Sequence, residues 1–313
     1  MPLESDLVGA MALQAVAAGV RLGLFEALSA EPSAGPSAEP RSAERLALDL
    51  GVPGEGLSRL LAFLEATGNL ERADGGYRCT AQLDVMLVWQ AILGELWADL
   101  AHAVRKDEPR GDFYSWLGGR PEVSARFQAL QKGMASGLAD QVVALVELPG
   151  GPLRLLDLGG GHGEYSAAFC RAHPGLTATV VDLPQPVRHT HRRIEWRVGD
   201  LRHDPLGAGH DVVLLCNVLH GFPAGQAAGI VARAAVAGER VVVVESRAGA
   251  GAFAAGFDLN LWHTQGGGLP TASQLADWLR AAGCDRVKCH EVGQHVVVQG
   301  SRETSRWRAK NAE

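Results

Sequence analysis

The sequence predicts an α/β protein: a mostly helical N-terminal domain followed by a parallel sheet with helices on both faces. Three observations carry this. Short apolar runs recur after residue 150, several rich in valine: Leu153–Leu158, Ala178–Asp182, Asp211–Cys216 and Val241–Glu245. Helical segments near 163–173 and 223–237 separate them, and strand alternating with helix makes a parallel sheet. Ahead of residue 147 the apolar period is close to 3.6, and only one short hairpin interrupts it. The expected domains are therefore 1–147 and 148–313.

Within the first domain, Leu7, Met11, Ala15, Val20, Leu22, Phe25 and Leu28 predict a helix over 7–29. The three prolines between Ser29 and Pro40 predict a mobile loop. Ser42 caps a helix through Leu50, ended by Gly51. A second helix follows from Gly54 to Thr67, then a hairpin turning at Asp74-Gly75. Helix, turn, helix, hairpin is the order of a winged helix. Its second helix offers one arginine and two glutamates among leucines, where a major-groove helix needs several basic or amide side chains. It reads as a packing or dimerisation module. Residues 84–147 read as largely helical, with Trp89, Leu93 and Trp97 sharing one buried face. In the second domain, Arg286–Glu291 and His295–Gln299 predict hairpin strands closing one sheet edge.

Composition narrows the classes. The chain has 313 residues, 47% hydrophobic and 20% charged, the balance of a globular protein. A net charge of −6 gives no pull toward nucleic acid or anionic membrane. No apolar run of roughly 18 to 20 residues is evident, and the N-terminus lacks a basic signal region, so a cytoplasmic protein is expected. The five cysteines are scattered, and Cys284, Cys289 and His290 fit no zinc spacing, so no metal is expected.

The chemistry concentrates after the first strand. Asp157-Leu158-Gly159-Gly160-Gly161-His162-Gly163 has the spacing Asp-x-Gly-x-Gly-x-Gly. Glycines let a turn pass close beneath a ligand. A dinucleotide loop reads Gly-x-Gly-x-x-Gly and seats a pyrophosphate. The acid two residues before Gly159 suits instead a ligand with a cationic amino-acid end, which S-adenosylmethionine has. Asp182, followed by Leu183, ends the second strand about 20 residues on, where a carboxylate can take both ribose hydroxyls. Asp200 and Leu201, between the second helix and the next strand, can meet an adenine edge. His189 and His191, in the run Arg188–Arg193, read as an exposed basic patch.

With these motifs on the page, the chain resembles the small-molecule O-methyltransferases of the plant caffeate type and their bacterial antibiotic- and polyketide-tailoring relatives. The resemblance runs from Arg21–Leu28 through Pro121–Phe127 and Gln131–Met134, the glycine loop and Asp182-Leu183-Pro184, to Phe257–Leu261 and Ala281-Ala282-Gly283. It implies a Rossmann-like catalytic domain and an N-terminal domain that pairs two subunits and caps the pocket. It implies that Gly159, Gly161, Asp182, Asp200 and Leu201 contact S-adenosylmethionine. It makes His220 the general base and Glu245 the residue that orients it. Leu130, Met134, Asn260 and Thr264 match substrate-pocket positions, and His263 lies in the same segment. Two departures stand out: the family's acid after the base is Gly221 here, and a second family glutamate falls on Leu269. Carboxyl-, C- or N-methylation and non-methylating chemistry therefore stand beside O-methylation, and a ligand-sensing winged-helix regulator is the alternative of another class.

Overall fold

A computed structural model describes residues 2–29, 40–184, 191–249 and 251–302. The loop expected over 29–40 and His189 lie almost wholly or wholly outside these residues. The chain divides into two compact units, Met1–Asp99 with Glu122–Leu130, and Leu100–Pro121 with Gln131–Glu313.

The first unit begins with α1 (Pro2–Leu22) and α2 (Leu24–Ser29). The single helix expected over 7–29 is broken because Gly23 turns left-handed, at φ +71°. α3 (Ala43–Leu50) starts where Ser42 Oγ accepts the Arg45 amide at 3.2 Å and stops at left-handed Gly51. α4 (Gly54–Ala66) precedes the hairpin of β1 (Leu70–Ala73) and β2 (Gly76–Cys79). Asp74 and Gly75 both take positive φ, as a tight two-residue hairpin requires. Leu24, Leu46, Leu61 and Leu64 are fully buried in this unit's core.

α5 (Ala81–Ala91) continues as a π turn over Ile92–Leu96 and a 3₁₀ turn over Trp97–Asp99. Val88, Ile92 and Leu96 are buried at four-residue intervals, with Leu83 and Ala91 buried beside them. The face expected from Trp89, Leu93 and Trp97 is only half buried, one residue out of step. The offset is already present within α5, where Val88 rather than Trp89 is buried, ahead of the π turn.

α1 carries a further correction. Glu4–Leu22 is long and apolar enough to cross a membrane by length and composition. The acids at Glu4 and Asp6 and the alternation with alanine and glycine hide this from a search for an unbroken apolar run.

The second unit takes in α6 (Leu100–Lys106), α7 (Phe113–Gly118) and the later part of α8 (Pro121–Leu145). Its sheet comprises β3 (Leu153–Leu158), β4 (Leu176–Asp182), β5 (Ile194–Val198), β6 (His210–Cys216), β7 (Gly238–Ser246), β8 (Arg286–Val292) and β9 (His295–Ser301). The strand order is β5-β4-β3-β6-β7-β9-β8, with β9 antiparallel to its neighbours. Helices α9 (Glu164–Ala172), α10 (Ala224–Ala237), α11 (Ala252–Gln265) and α12 (Ala272–Ala281) connect the strands. Two cores, one on each face of the sheet, bury Leu156, Val213 and Val243 on one side and Leu155, Leu214 and Val242 on the other. β3 and β6 are the neighbours where the strand order reverses direction, so a crevice opens beyond their carboxyl ends.

β5 is a strand that the sequence reading lacks. Its side chains are half-exposed to exposed, as an edge strand's are, and its charges mask the pattern. Val198 therefore ends a strand, and Gly199 and Asp200 directly follow it.

Arg193, expected in an exposed basic patch, is half-buried. Its guanidinium donates to the carbonyls of Cys170, His173, Pro174 and Leu176, closing the α9-to-β4 turn onto the start of β5. Arg193→Ala is expected to lower stability by about 2 kcal/mol, read from the urea midpoint, because several charge-assisted bonds are lost together. An unchanged midpoint would make the clamp energetically idle.

Candidate active site

The glycine loop leaves β3 through three left-handed residues, Gly159, Gly161 and Gly163. Asp157, the last but one residue of β3, is fully buried. Its Oδ2 accepts the Ser166 hydroxyl at 2.7 Å, while its Oδ1 is buried with no hydrogen-bond partner. Gly160 is the other wall: a Cβ there would lie 2.6 Å from the Asp157 carboxylate. Burial, opposed by the Ser166 hydrogen bond and reinforced by the Asp182 carboxylate, pushes the Asp157 carboxyl up to about 7.

Asp182 ends β4 beside this loop. Its Oδ2 accepts the Gly161 amide and its Oδ1 the Leu183 amide, each at 2.6 Å. The structure thus joins Asp157, Gly161, Asp182 and Leu183 in one cluster. Leu201 is buried and meets Gly159, where a Cβ would lie 3.4 Å from its side chain and 2.6 Å from Val218. Asp200 is held elsewhere: Arg202 binds both carboxylate oxygens, and these bonds first, with the charge of Arg202 among the lesser causes, draw its carboxyl down to about 2.

On the other side of the crevice, Asn217 follows β6 with φ +54°, its amide bonded to Val244 O at 2.7 Å. This sharp exit leads into a 3₁₀ turn, Leu219–Gly221, that carries His220. Glu245, near the end of β7, is wholly buried. Its Oε1 accepts the amides of Val218, Leu219 and His220 at 3.0, 2.6 and 3.3 Å. Its Oε2 lies 2.6 Å from His220 Nδ1. Phe257 of α11 stands edge-on to the imidazole, 6.1 Å between centroids.

The remaining candidates divide. Asn260, His263 and Thr264 are buried on one side of α11, but the Thr264 hydroxyl is bonded to Asn260 O at 2.7 Å. The His263 carbonyl accepts the Arg110 and Gly111 amides, which docks the start of α7. Met134 is exposed, and Leu130 belongs to the other compact unit.

Sequence reasoning missed Ser166 and Tyr114. Ser166 lies a full helical turn beyond the glycine motif. Tyr114, on α7, is half-exposed, yet lost hydration and then the Asp182 and Glu245 carboxylates push its phenol up to about 12. Only the fold brings a residue so distant in sequence near both carboxylates.

The O-methyltransferase domain family matches residues 97–284 of this chain. A 3-hydroxy-5-methyl-1-naphthoate 3-O-methyltransferase of Streptomyces sahachiroi is 31% identical, over 91% of this chain and 90% of that protein. A 2,7-dihydroxy-5-methyl-1-naphthoate 7-O-methyltransferase of Streptomyces carzinostaticus is 28% identical, over 83% and 87%. Among solved structures, a mitomycin 7-O-methyltransferase superposes with a TM-score of 0.75 at 25% identity, covering 96% of this chain and 97% of that one. The chain belongs to the O-methyltransferase family, and its methyl donor is S-adenosylmethionine.

The raised Asp157 carboxyl sets a sign. An unfolded aspartate titrates near 3.9, so between about pH 4 and 7 the folded chain keeps a proton that the unfolded chain releases. The stability held by this group is full below pH 4 and falls as pH rises through about 7. Without ligand, urea midpoints of the wild type should fall more steeply from pH 5 to 7 than those of Asp157→Asn. Parallel slopes would contradict the shift.

Proposed function

We propose that this enzyme methylates a hydroxyl of a small aromatic or polyketide-like metabolite, with His220 as the general base. The observation that supports it most is the 2.6 Å contact between His220 Nδ1 and the wholly buried Glu245. The names of the naphthoate relatives support an aromatic hydroxyl as acceptor.

The residues around the glycine loop fit the donor. The orphan Oδ1 of Asp157 suits its ammonium group, and Gly159, Gly161 and Leu201 line the approach. Asp182 would turn from the loop amides to the ribose hydroxyls, with Leu183 beside it. Asp200, fastened to Arg202, would serve through its backbone or the shape it gives the turn. S-adenosylmethionine supplies a methyl on a positive sulfonium, which is already an electrophile.

The protein's own work is the acceptor's proton. A phenol with a pKa of about 10 is only about a thousandth ionised at neutral pH, a handicap of roughly 4 kcal/mol. Glu245 accepts a hydrogen bond from Nδ1–H, so the Nε2 lone pair of His220 is left to take the hydroxyl proton. The same carboxylate then stabilises the imidazolium. Asn260, His263, Thr264 and Met134 would border the acceptor. The absent acids at Gly221 and Leu269 leave this one pair to do the acid–base chemistry.

The reading extends to assembly. α3, α4 and the β1–β2 hairpin have the order of a winged helix, and α1 exposes Leu7, Val8, Met11, Val20 and Leu22. This apolar face suits a second copy of the chain, and the domain division 1–147 and 148–313 follows as a pairing and capping half before a catalytic half. A cytoplasmic homodimer with a small-molecule substrate and no nucleic-acid partner is the expected form. Light scattering at micromolar concentration should give twice the mass of one chain. A monomer would overturn the pairing.

His220→Ala should lower kcat by about 10²–10⁴-fold and leave S-adenosylmethionine affinity nearly intact. The loss should shrink as assay pH approaches the acceptor's own pKa. Glu245→Gln should lose less, since it keeps an acceptor for the turn amides. A His220→Ala enzyme at full rate at neutral pH would end the base assignment.

A further inference from the structure

The main chain of His220 is held at both ends. Its amide donates to Glu245 Oε1 at 3.3 Å. Its carbonyl accepts the Gly268 amide at 2.9 Å. The chain passes so close there that a Cβ on Gly267 would sit 2.0 Å from the same oxygen. Glu245 stands on the sheet and grips the turn directly. The segment at 266–270 only connects α11 to α12, so its own position has to be secured. It reads Gly266-Gly267-Gly268-Leu269-Pro270 and carries no polar side chain, so it acts on His220 through main-chain groups alone. Three successive glycines let it approach the turn closely, and they also leave it the freedom to withdraw.

Asp258 of α11 supplies the tie. Its Oδ1 accepts the Leu269 amide at 2.6 Å, and a Cβ on Gly268 would lie 3.0 Å from that oxygen. Consecutive amides thus donate first to the His220 carbonyl and then to α11. These two bonds fasten the segment between Gly266, which ends α11, and Thr271, which caps α12. Phe257, the neighbour of Asp258, stands edge-on to the His220 ring. One turn of α11 therefore bears on the ring through residue 257 and on the main chain of the base through residue 258. A cavity of about 370 Å³ borders the same segment, lined by Leu219, Trp262, Gly267, Gly268, Leu269 and Trp278 among others. The segment has room to shift once the tie is cut.

We propose that Asp258 is a positioning residue for the general base: through the Leu269 and Gly268 amides it seats the His220 carbonyl, and with it the imidazole. It touches no reacting atom. Its effect is on where the base stands, and a misplacement of about 1 Å can cost about a hundredfold in rate. This rests on the reading of His220 as the base and adds the group that places it. The residues proposed for S-adenosylmethionine lie on other elements, at the ends of β3 and β4, so its affinity does not depend on Asp258.

Proton exchange followed by nitrogen-15 NMR, on the full enzyme saturated with S-adenosylhomocysteine, tests the tie without an acceptor. Asp258 is an exposed helical position, where alanine suits the helix. Asp258→Ala should speed exchange of the Leu269 amide, the Gly268 amide and the His220 Nδ1 proton together, by at least about tenfold. Asp258→Asn keeps an oxygen acceptor and should return all three toward the wild type. With 3-hydroxy-1-naphthoate as acceptor, Asp258→Ala should lower kcat by about 10- to 100-fold and leave the acceptor KM within about twofold. Added to His220→Ala it should cost nothing further. Faster exchange at Leu269 alone would overturn the proposal. So would an Asp258→Asn enzyme that behaves like the alanine variant, or an equal loss of rate on the His220→Ala background. The exchange result decides the proposal whether or not the naphthoate is turned over. A failure of His220 as the base shows differently, as a His220→Ala enzyme at full rate while the three protons still respond together to Asp258.

Discussion

One carboxylate organises the active site. Glu245 is buried without exposure, yet both its oxygens are bonded. A buried ion without partners would cost several kcal/mol. Here three backbone amides and an imidazole meet it, and each of those groups would otherwise need a partner of its own. The turn, the orientation of His220 and the burial of Glu245 are therefore one arrangement.

The sheet supplies the rigidity this needs. β6 and β7 pair in parallel register, Cys216 beside Val244, so the residues just beyond them emerge together. The left-handed Asn217 folds the chain back within two residues, aided by its bond to Val244 O. On the neighbouring strands, the ends of β3 and β4 bring Asp157 and Asp182 together across the glycine loop. The His220–Glu245 pair and the Asp157–Asp182 cluster thus sit together at the carboxyl ends of the central strands, at the point where strand order reverses.

Much of this was legible in the sequence because it is local. The glycine spacing, the valine runs and the acids at strand ends each lie within a few residues of the feature they announce. His220 and Glu245 could be matched to a family, but the three amides on Glu245 Oε1 could not. They depend on a turn whose shape follows from a contact between two strands. β5 was missed because an edge strand with exposed charges lacks the apolar signal. The buried face from α5 onward was misplaced by one residue because Trp89, Leu93 and Trp97 repeat at the same four-residue spacing as Val88, Ile92 and Leu96, so the period alone does not choose between the two faces. Tyr114 and Ser166 carry no motif at all. Their meaning comes from what the fold sets beside them: two carboxylates and one buried oxygen.

The central claim is that Glu245 fixes the tautomer of His220 with the proton on Nδ1. Nitrogen-15 NMR of the imidazole in the folded enzyme, at a pH where the ring is neutral, reads this directly. The account expects a protonated Nδ1 and an unprotonated Nε2 in the wild type, with the pattern weakened in Glu245→Gln. A ring protonated at Nε2, or one indifferent to Glu245, would contradict it.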